Sequence, residues 1–204
     1  MKKITITQIS EKKIKAGNPL LQMEDFPNEL SFDEGELVEL VDSRQKFVAK
    51  AYLAKQNKGV GWVFSLDNAD SFNEAFFKKQ FEKAKRKRTD LQSDPETTTY
   101  RLFNAEGDGI PGVTIDHYDG FAVVSWYSEG IFRYQTAIIA AFQAVFPETK
   151  GIYEKFRYQR KDGLISRYVR GDAAPTPLIV KENSINYATY LDDGLMTGIF
   201  LDQR

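Results

Sequence analysis

The sequence predicts an α+β protein. A small β-barrel or sandwich is expected over residues 1–70, a basic helix and linker over 71–94, and a central α/β domain with β-hairpins over 95–204. Three observations carry this reading. Short alternating apolar runs fill the first third, as half-buried strands require. The apolar period becomes helical at Phe77, Phe81 and Ala84. Beyond residue 95, strands mix with one long helix, and Asp119-Gly120 separates two alternating runs, a strong hairpin signal.

The elements follow in order. ITITQI alternates, ELVELVD and KFVAKAYLA are strand-like, and GVGWVFSL is rich in β-branched and aromatic residues, so residues 1–70 read as all-β. Gly17-Asn18-Pro19, Asp33-Glu34-Gly35 and Asn57-Lys58-Gly59 punctuate these runs as turns. Ser71-x-x-Glu74 reads as a capping box opening a helix that runs to about Leu91, and Asp94-Pro95 ends it. TYRLFN, GVTIDHY and FAVVSWY are strands. IFRYQTAIIAAFQAVF is a helix with Tyr134, Ile138, Phe142 and Val145 on one stripe, stopped by Pro147. GIYEKF, GLISRYV, PLIVKEN and INYATYL complete the strands.

Composition excludes several chemistries. The chain has no cysteine, which removes disulfides, thiolate metal sites and a cysteine nucleophile from these residues. Its single histidine, His117, cannot make a histidine metal cluster, and no metal ligand set is expected. No apolar run approaches the ~20 residues of a membrane span, and the N-terminus has no apolar core behind its lysines. A soluble cytoplasmic protein without a membrane partner is expected.

Charge is nearly balanced, 28 basic residues against 29 acidic, yet unevenly spread. Residues 71–88 carry 7 Lys/Arg against 2 Asp/Glu, and the Glu24 to Asp42 stretch carries eight carboxylates and no cation. Like charges one helical turn apart repel, so the basic run is costly unless an anion meets it. Nucleic-acid phosphate is the natural partner, against the plain alternative of a solvated face. The candidate contacts are Lys79, Lys83, Lys85, Arg86, Lys87 and Arg88.

EGDGIPG, Glu106 to Gly112, has the spacing of a dinucleotide-binding loop. Such a loop needs a helix behind its last glycine, with free backbone N–H groups. Here a hairpin follows, and Pro111 removes a donor, so the glycines read as structural turns. His117 reads as a packed histidine. Asp192-Asp193 reads as a turn, because neighbouring strand residues point to opposite faces and cannot converge on one ion. The closing GIFLDQR ends an apolar strand in three polar residues, like the lip of a site.

Whole words now match a known family. TYRLFNAEGDGIPGVTIDHYDGFAVVSWYSEGIFRYQ, then GIYEK, then ENSINYATYLDDGLMTGIFLDQR, resemble the S-adenosylmethionine-dependent ribosomal RNA large subunit methyltransferases of the bacterial RlmI type, which make 5-methylcytosine. The likeness is strong over 100–118 and 182–204 and weaker over 1–90, where the family's Gly-x-Pro-Trp-Val-Phe word stands only as Gly17-Asn18-Pro19-Leu20-Leu21. It implies a PUA-like RNA-binding β-barrel at 1–70 and the central domain at 95–204. The Rossmann-like methyltransferase domain, with its cofactor pocket and catalytic cysteine, is then expected to be absent from this chain, so no catalytic residue is assigned. It also implies that Phe200, Asp202 and Gln203 lie at the edge of the cofactor pocket, and that this chain alone holds no S-adenosylmethionine. Two other readings stay open: a stand-alone RNA-binding protein without activity, and a dimerisation module whose hairpins pair across a two-fold axis as a homodimer.

Overall fold

A computed structural model of the protein describes residues 1–56 and 59–201. The expected Asn57-Lys58 turn, and Asp202, Gln203 and Arg204, lie outside the described residues.

The first sheet holds five strands: β1 (Lys2–Thr5), β2 (Leu20–Leu21), β3 (Leu37–Val41), β4 (Phe47–Gln56) and β5 (Gly59–Ser65). Their order is β1-β3-β4-β5-β2, with β1 parallel to β3 and the other pairs antiparallel. Two expectations are corrected here. The sheet is open, with β1 and β2 at opposite edges, rather than a closed barrel. The segment is also not all-β, because Gln8–Lys15 forms helix α1. Thr7 caps this helix by accepting from the Ser10 N–H at 3.2 Å, and Ser10 and Ile14 turn inward one turn apart. That helical spacing extends from Ile6 and competed successfully with the alternation of ITITQI.

β4 is buried on both faces, which explains its long apolar run. Ala51 and Leu53 join Val38, Leu40 and Ile14 in one core, while Tyr52 and Ala54 point into another. That second core also takes Trp62, Phe64, Phe72, Phe77, Phe103, Trp126 and Phe142, so one apolar cluster joins the first sheet to residues between 72 and 156.

Helix α2 (Glu74–Lys87) starts one residue after Asn73, whose side chain accepts from the Phe76 N–H. Asn73 is therefore the cap, in place of the expected Ser71 box. A short α3 (Thr89–Ser93) follows, then strand β6 (Thr99–Asn104) and a single helical turn, α4 (Ala105–Asp108). Strands β7 (Val113–Tyr118) and β8 (Phe121–Trp126) form the expected hairpin, with positive φ at Asp119 and Gly120 as a type I′ turn demands. The long predicted helix divides into α5 (Glu129–Phe132) and α6 (Gln135–Val145), after which come β9 (Gly151–Phe156) and β10 (Ser166–Gly171).

The second sheet runs β10-β9-β8-β7-β6. It is antiparallel except for β8 and β9, which are parallel neighbours joined through α5 and α6. That is a βαβ unit, the building block of Rossmann-like sheets. The expectation that a Rossmann-like domain is wholly absent from the chain is corrected by this unit only to the extent of one parallel pair in an otherwise antiparallel sheet. The parallel pair was invisible to strand-by-strand reading, because pairing direction is a tertiary property. A last hairpin, β11 (Leu178–Glu182) with β12 (Ile185–Thr189), covers part of the other face through Leu178, Val180, Leu191 and Leu201 against Tyr118, Phe121, Val123 and Tyr153.

No helix among the described residues is long and apolar enough to cross a membrane.

Candidate functional site

Strand register places one polar residue from each strand of the second sheet in a single row. Asn104 pairs with Thr114, Thr114 with Ser125, Ser125 with Lys155, and Lys155 with Ser166. The next row begins with Arg101 and Asp116, joined as a bidentate ion pair. Polar groups at the centre of a sheet are costly to bury unless hydrogen-bonded, so this stripe must be partnered or must serve a ligand.

Lys155 is fully buried. Its Nζ donates to the backbone carbonyls of Asp193 at 3.2 Å and Gly194 at 2.7 Å. Burial, helped by the neighbouring Arg157 charge and opposed by Asp193 and Asp192, pulls its pKa down to about 8. The Asp192-Asp193 pair thus meets the site through main-chain oxygens, Ser166 Oγ donating to the Asp192 carbonyl. No cluster able to hold a metal occurs among the described residues.

The row opens into a cleft. Its widest part, about 1020 Å³, lies where Glu34, Lys55 and Gln56 face Tyr127, Arg157 and Tyr158. It shares Gln56 and Tyr127 with a recess of about 520 Å³ that reaches Trp62, Asn104 and Thr114. On the other side it shares Tyr127 and Arg157 with a recess of about 260 Å³ bounded by Arg101, Lys155, Met196 and Phe200. Gln56 Nε2 donates to the Tyr127 carbonyl at 2.6 Å and ties the two walls together.

The expected basic face is partly committed elsewhere. Arg88 is half-buried and donates to the Arg101 carbonyl at 2.6 Å and to Asp108 Oδ2 at 2.7 Å. Lys87 reaches Asp108 Oδ1 at 2.9 Å. Lys85 donates to the Val145 carbonyl at 2.8 Å and sits over the Phe146 ring. Lys79 approaches Asp70 at 3.7 Å, and Lys83 donates to Gln80 at 3.2 Å. Lys79, Lys83 and Arg86 are the exposed members least tied to the interior.

Of the three expected cofactor-edge residues, only Phe200 is described; it is exposed and borders the recess of about 260 Å³. EGDGIPG is the α4 turn, closed by Gly109 in the left-handed region, with Glu106 Oε1 accepting from the Gly112 N–H at 3.3 Å. His117 stacks on Tyr100 and its Nε2 accepts from the Gly120 N–H at 3.1 Å. Burial lowers its pKa to about 4, leaving it neutral and packed. Sequence reading passed over Asn104, Thr114, Ser125 and Lys155. Their only signal was a polar residue in a largely apolar strand, as with Ser125 in FAVVSW and Lys155 in GIYEKF.

A family model described as a PUA-like domain matches residues 4–66. YwbD of Bacillus subtilis (strain 168), by name a candidate ribosomal RNA large subunit methyltransferase, is 40% identical over 208 residues, covering 100% of this chain and 52% of that protein. Ribosomal RNA large subunit methyltransferase I of Vibrio parahaemolyticus is 33% identical over 174 residues, covering 83% of this chain and 43% of the relative. A solved candidate SAM-dependent methyltransferase from Streptococcus mutans superposes with a TM-score of 0.92 at 43% identity, covering 100% of this chain and 52% of that one. A second solved candidate methyltransferase, complexed with SAH, also matches at 0.92 and 43%, over 100% of this chain and 51% of its own. Methyltransferase structures thus cover this chain from end to end, which overturns the expected separation between it and a methyltransferase fold. The chain spans about half the length of the relatives it matches. It is a homologue, over that half, of the ribosomal RNA large subunit methyltransferases of the RlmI type, and residues 4–66 match a PUA-like domain.

Proposed function

We propose that this chain is the RNA-holding part of a cytoplasmic S-adenosylmethionine-dependent methyltransferase acting on cytosine C5 of ribosomal RNA, and that it positions RNA for methyl transfer. The observation that carries this reading is the end-to-end likeness to methyltransferase structures, one of them complexed with SAH. The division proposed is a PUA-like domain over 1–70, the basic helix and linker over 71–94, and a central α/β domain over 95–204.

The recess beside Phe200, about 260 Å³, is below the ~300–1,000 Å³ of a site that encloses a small molecule. Arg157 and the Arg101–Asp116 ion pair line it. We assign to it at most the methionine end of S-adenosylmethionine. Phe200, Asp202 and Gln203 would border that end, and the cofactor would supply the methyl group.

These residues contain no cysteine. A covalent cytosine adduct formed by a thiolate therefore needs a residue outside them. Labelled S-adenosylmethionine and ribosomal RNA are expected to give no methyl transfer with the 204-residue chain, and turnover above background would refute this assignment.

RNA contact is proposed for Lys79, Lys83, Lys85, Arg86, Lys87 and Arg88, with Lys83 and Arg86 as the members that can be removed without disturbing the fold. Replacing both by alanine is expected to flatten the log–log salt dependence of RNA binding by ~0.7–0.9 per lost phosphate contact. Fluorescence anisotropy across a salt series reads this, and an unchanged slope would make the helix a solvated face.

A further inference from the structure

Lys155 is a buried charge that the proposed function does not use. Its side chain is enclosed, and no carboxylate pairs with it among the described residues. An ammonium so placed is costly to bury. What it meets is main chain. The Asp193 and Gly194 carbonyls accept from its Nζ, and the Asp192 carbonyl accepts from Ser166 Oγ. Two side chains of the second sheet thus hold three successive carbonyls, and one amine holds two of them.

These carbonyls belong to a strap, Asp192 to Met196, slung between two buried residues. Leu191 lies in the apolar cluster beneath the last hairpin. Thr197 bonds through its hydroxyl to Tyr118 Oη at 2.8 Å, and its carbonyl accepts from the Tyr190 N–H at 3.0 Å. Between these anchors Asp192, Asp193 and Met196 are exposed. Gly194, at the middle, has φ +55, and an added Cβ would meet no atom within 4 Å, so the strap has a permissive joint in open space. The strap also stands between two cavities. Leu195 borders the wide cleft, and Met196 borders the recess beside Phe200.

We propose that this strap is a proton-controlled gate: it lies closed over Lys155 while the amine is neutral and swings outward when the amine takes up a proton, joining the wide cleft to the Phe200 recess. The gate does not depend on what either cavity binds.

The sign follows from linkage. Closed, Lys155 is held near 8 by burial; open to solvent, it returns toward its ordinary 10.5. The closed state therefore binds fewer protons, and rising pH favours closure. Between pH 7 and pH 9 the closed-to-open ratio rises about tenfold. The charged and titratable groups facing Lys155 are Arg157 on the chain just after β9, Asp192 and Asp193 on the strap, and the Arg101–Asp116 pair, Tyr118 and Tyr127 around the recess. Carboxylates, guanidiniums and phenols ordinarily titrate outside pH 7–9. Glu154 pairs with Arg167 and, as the strand neighbour of Lys155, points to the other face of the sheet.

The chain has no cysteine, so Met196→Cys provides a unique spin-label position on the strap. Electron paramagnetic resonance of the labelled 204-residue chain is expected to show an immobile and a mobile population, their ratio rising about tenfold from pH 7 to pH 9. Lys155→Gln keeps a neutral donor for the carbonyls, and its ratio is expected to be independent of pH. Arg157→Gln, at an exposed position, removes the neighbouring like charge and is expected to move the rise to higher pH without touching the core. A single label population at both pH values, a constant ratio in the Lys155 chain, or the same rise in Lys155→Gln would overturn the gate. So would a rise left in place by Arg157→Gln.

Discussion

Asp108→Ala is expected to lower the unfolding free energy by about 3–5 kcal/mol, the range for breaking a buried ion pair from one side. Asp108 is 7% exposed and holds three donors: Arg88 Nη2 at 2.7 Å, Lys87 Nζ at 2.9 Å and the Asn104 N–H at 2.8 Å. Its loss leaves the Arg88 guanidinium, itself half-buried, facing the Arg101 carbonyl and nothing anionic. The basic helix α2 would then lose its anchor to β6 and α4. Burial alone would raise the Asp108 pKa, but Arg88, Lys87 and the Asn104 amide outweigh it and hold the group below its ordinary 3.8. A carboxyl depressed in the folded state stabilises above its unfolded pKa, and that stability disappears as pH falls through the folded value. The difference between Asp108→Ala and the parent chain should therefore be full at neutral pH and shrink only below about pH 4. Urea unfolding at pH 7 and pH 3 checks both parts. A loss under 1 kcal/mol at pH 7 would show that the ion pair is not integral to the fold.

Gly112→Ala is expected to cost about 2–5 kcal/mol, adding backbone strain to overpacking. Gly112 has φ +77, and an added Cβ would lie 2.5 Å from Tyr52 Oη. That hydroxyl is buried and donates to the Pro111 carbonyl at 3.0 Å, linking β4 of the first sheet to the turn before β7. The substitution thus forces apart the two walls of the cleft. Gly112→Ala is expected to lower RNA affinity as well as the melting temperature. Tyr52→Phe keeps the ring and loses only the hydrogen bond, so its stability loss should be about 1 kcal/mol. Equal losses for the two variants would argue against the steric account.

Both variants bear on what could be read in advance. The strands from β3 onward were legible because alternation or a short β-branched and aromatic run bounded by turns is a local property. The Asp119-Gly120 hairpin was legible because a type I′ turn demands positive φ at both positions. Helix α1 was missed because residues 4–9 alternate while Ile6, Ser10 and Ile14 also share a helix face, and the Thr7 cap broke the tie. The basic run was visible as charge. That Arg88 and Lys87 spend their charge on Asp108, 20 and 21 residues away, was not, because the ion pair needs the chain to double back.

The site shows the same division more sharply. Local sequence determined which segments are strands, that these residues contain no thiol, and the words by which the family was recognised. Only the tertiary structure decided that β8 and β9 run parallel, that one core joins both sheets, and that Asn104, Thr114, Ser125 and Lys155 stand in one row. Strand identity is written in a period of two residues, whereas register depends on which strands meet and how they are offset. A one-residue slip would have turned Thr114 into the apolar core and Ile115 into the cleft.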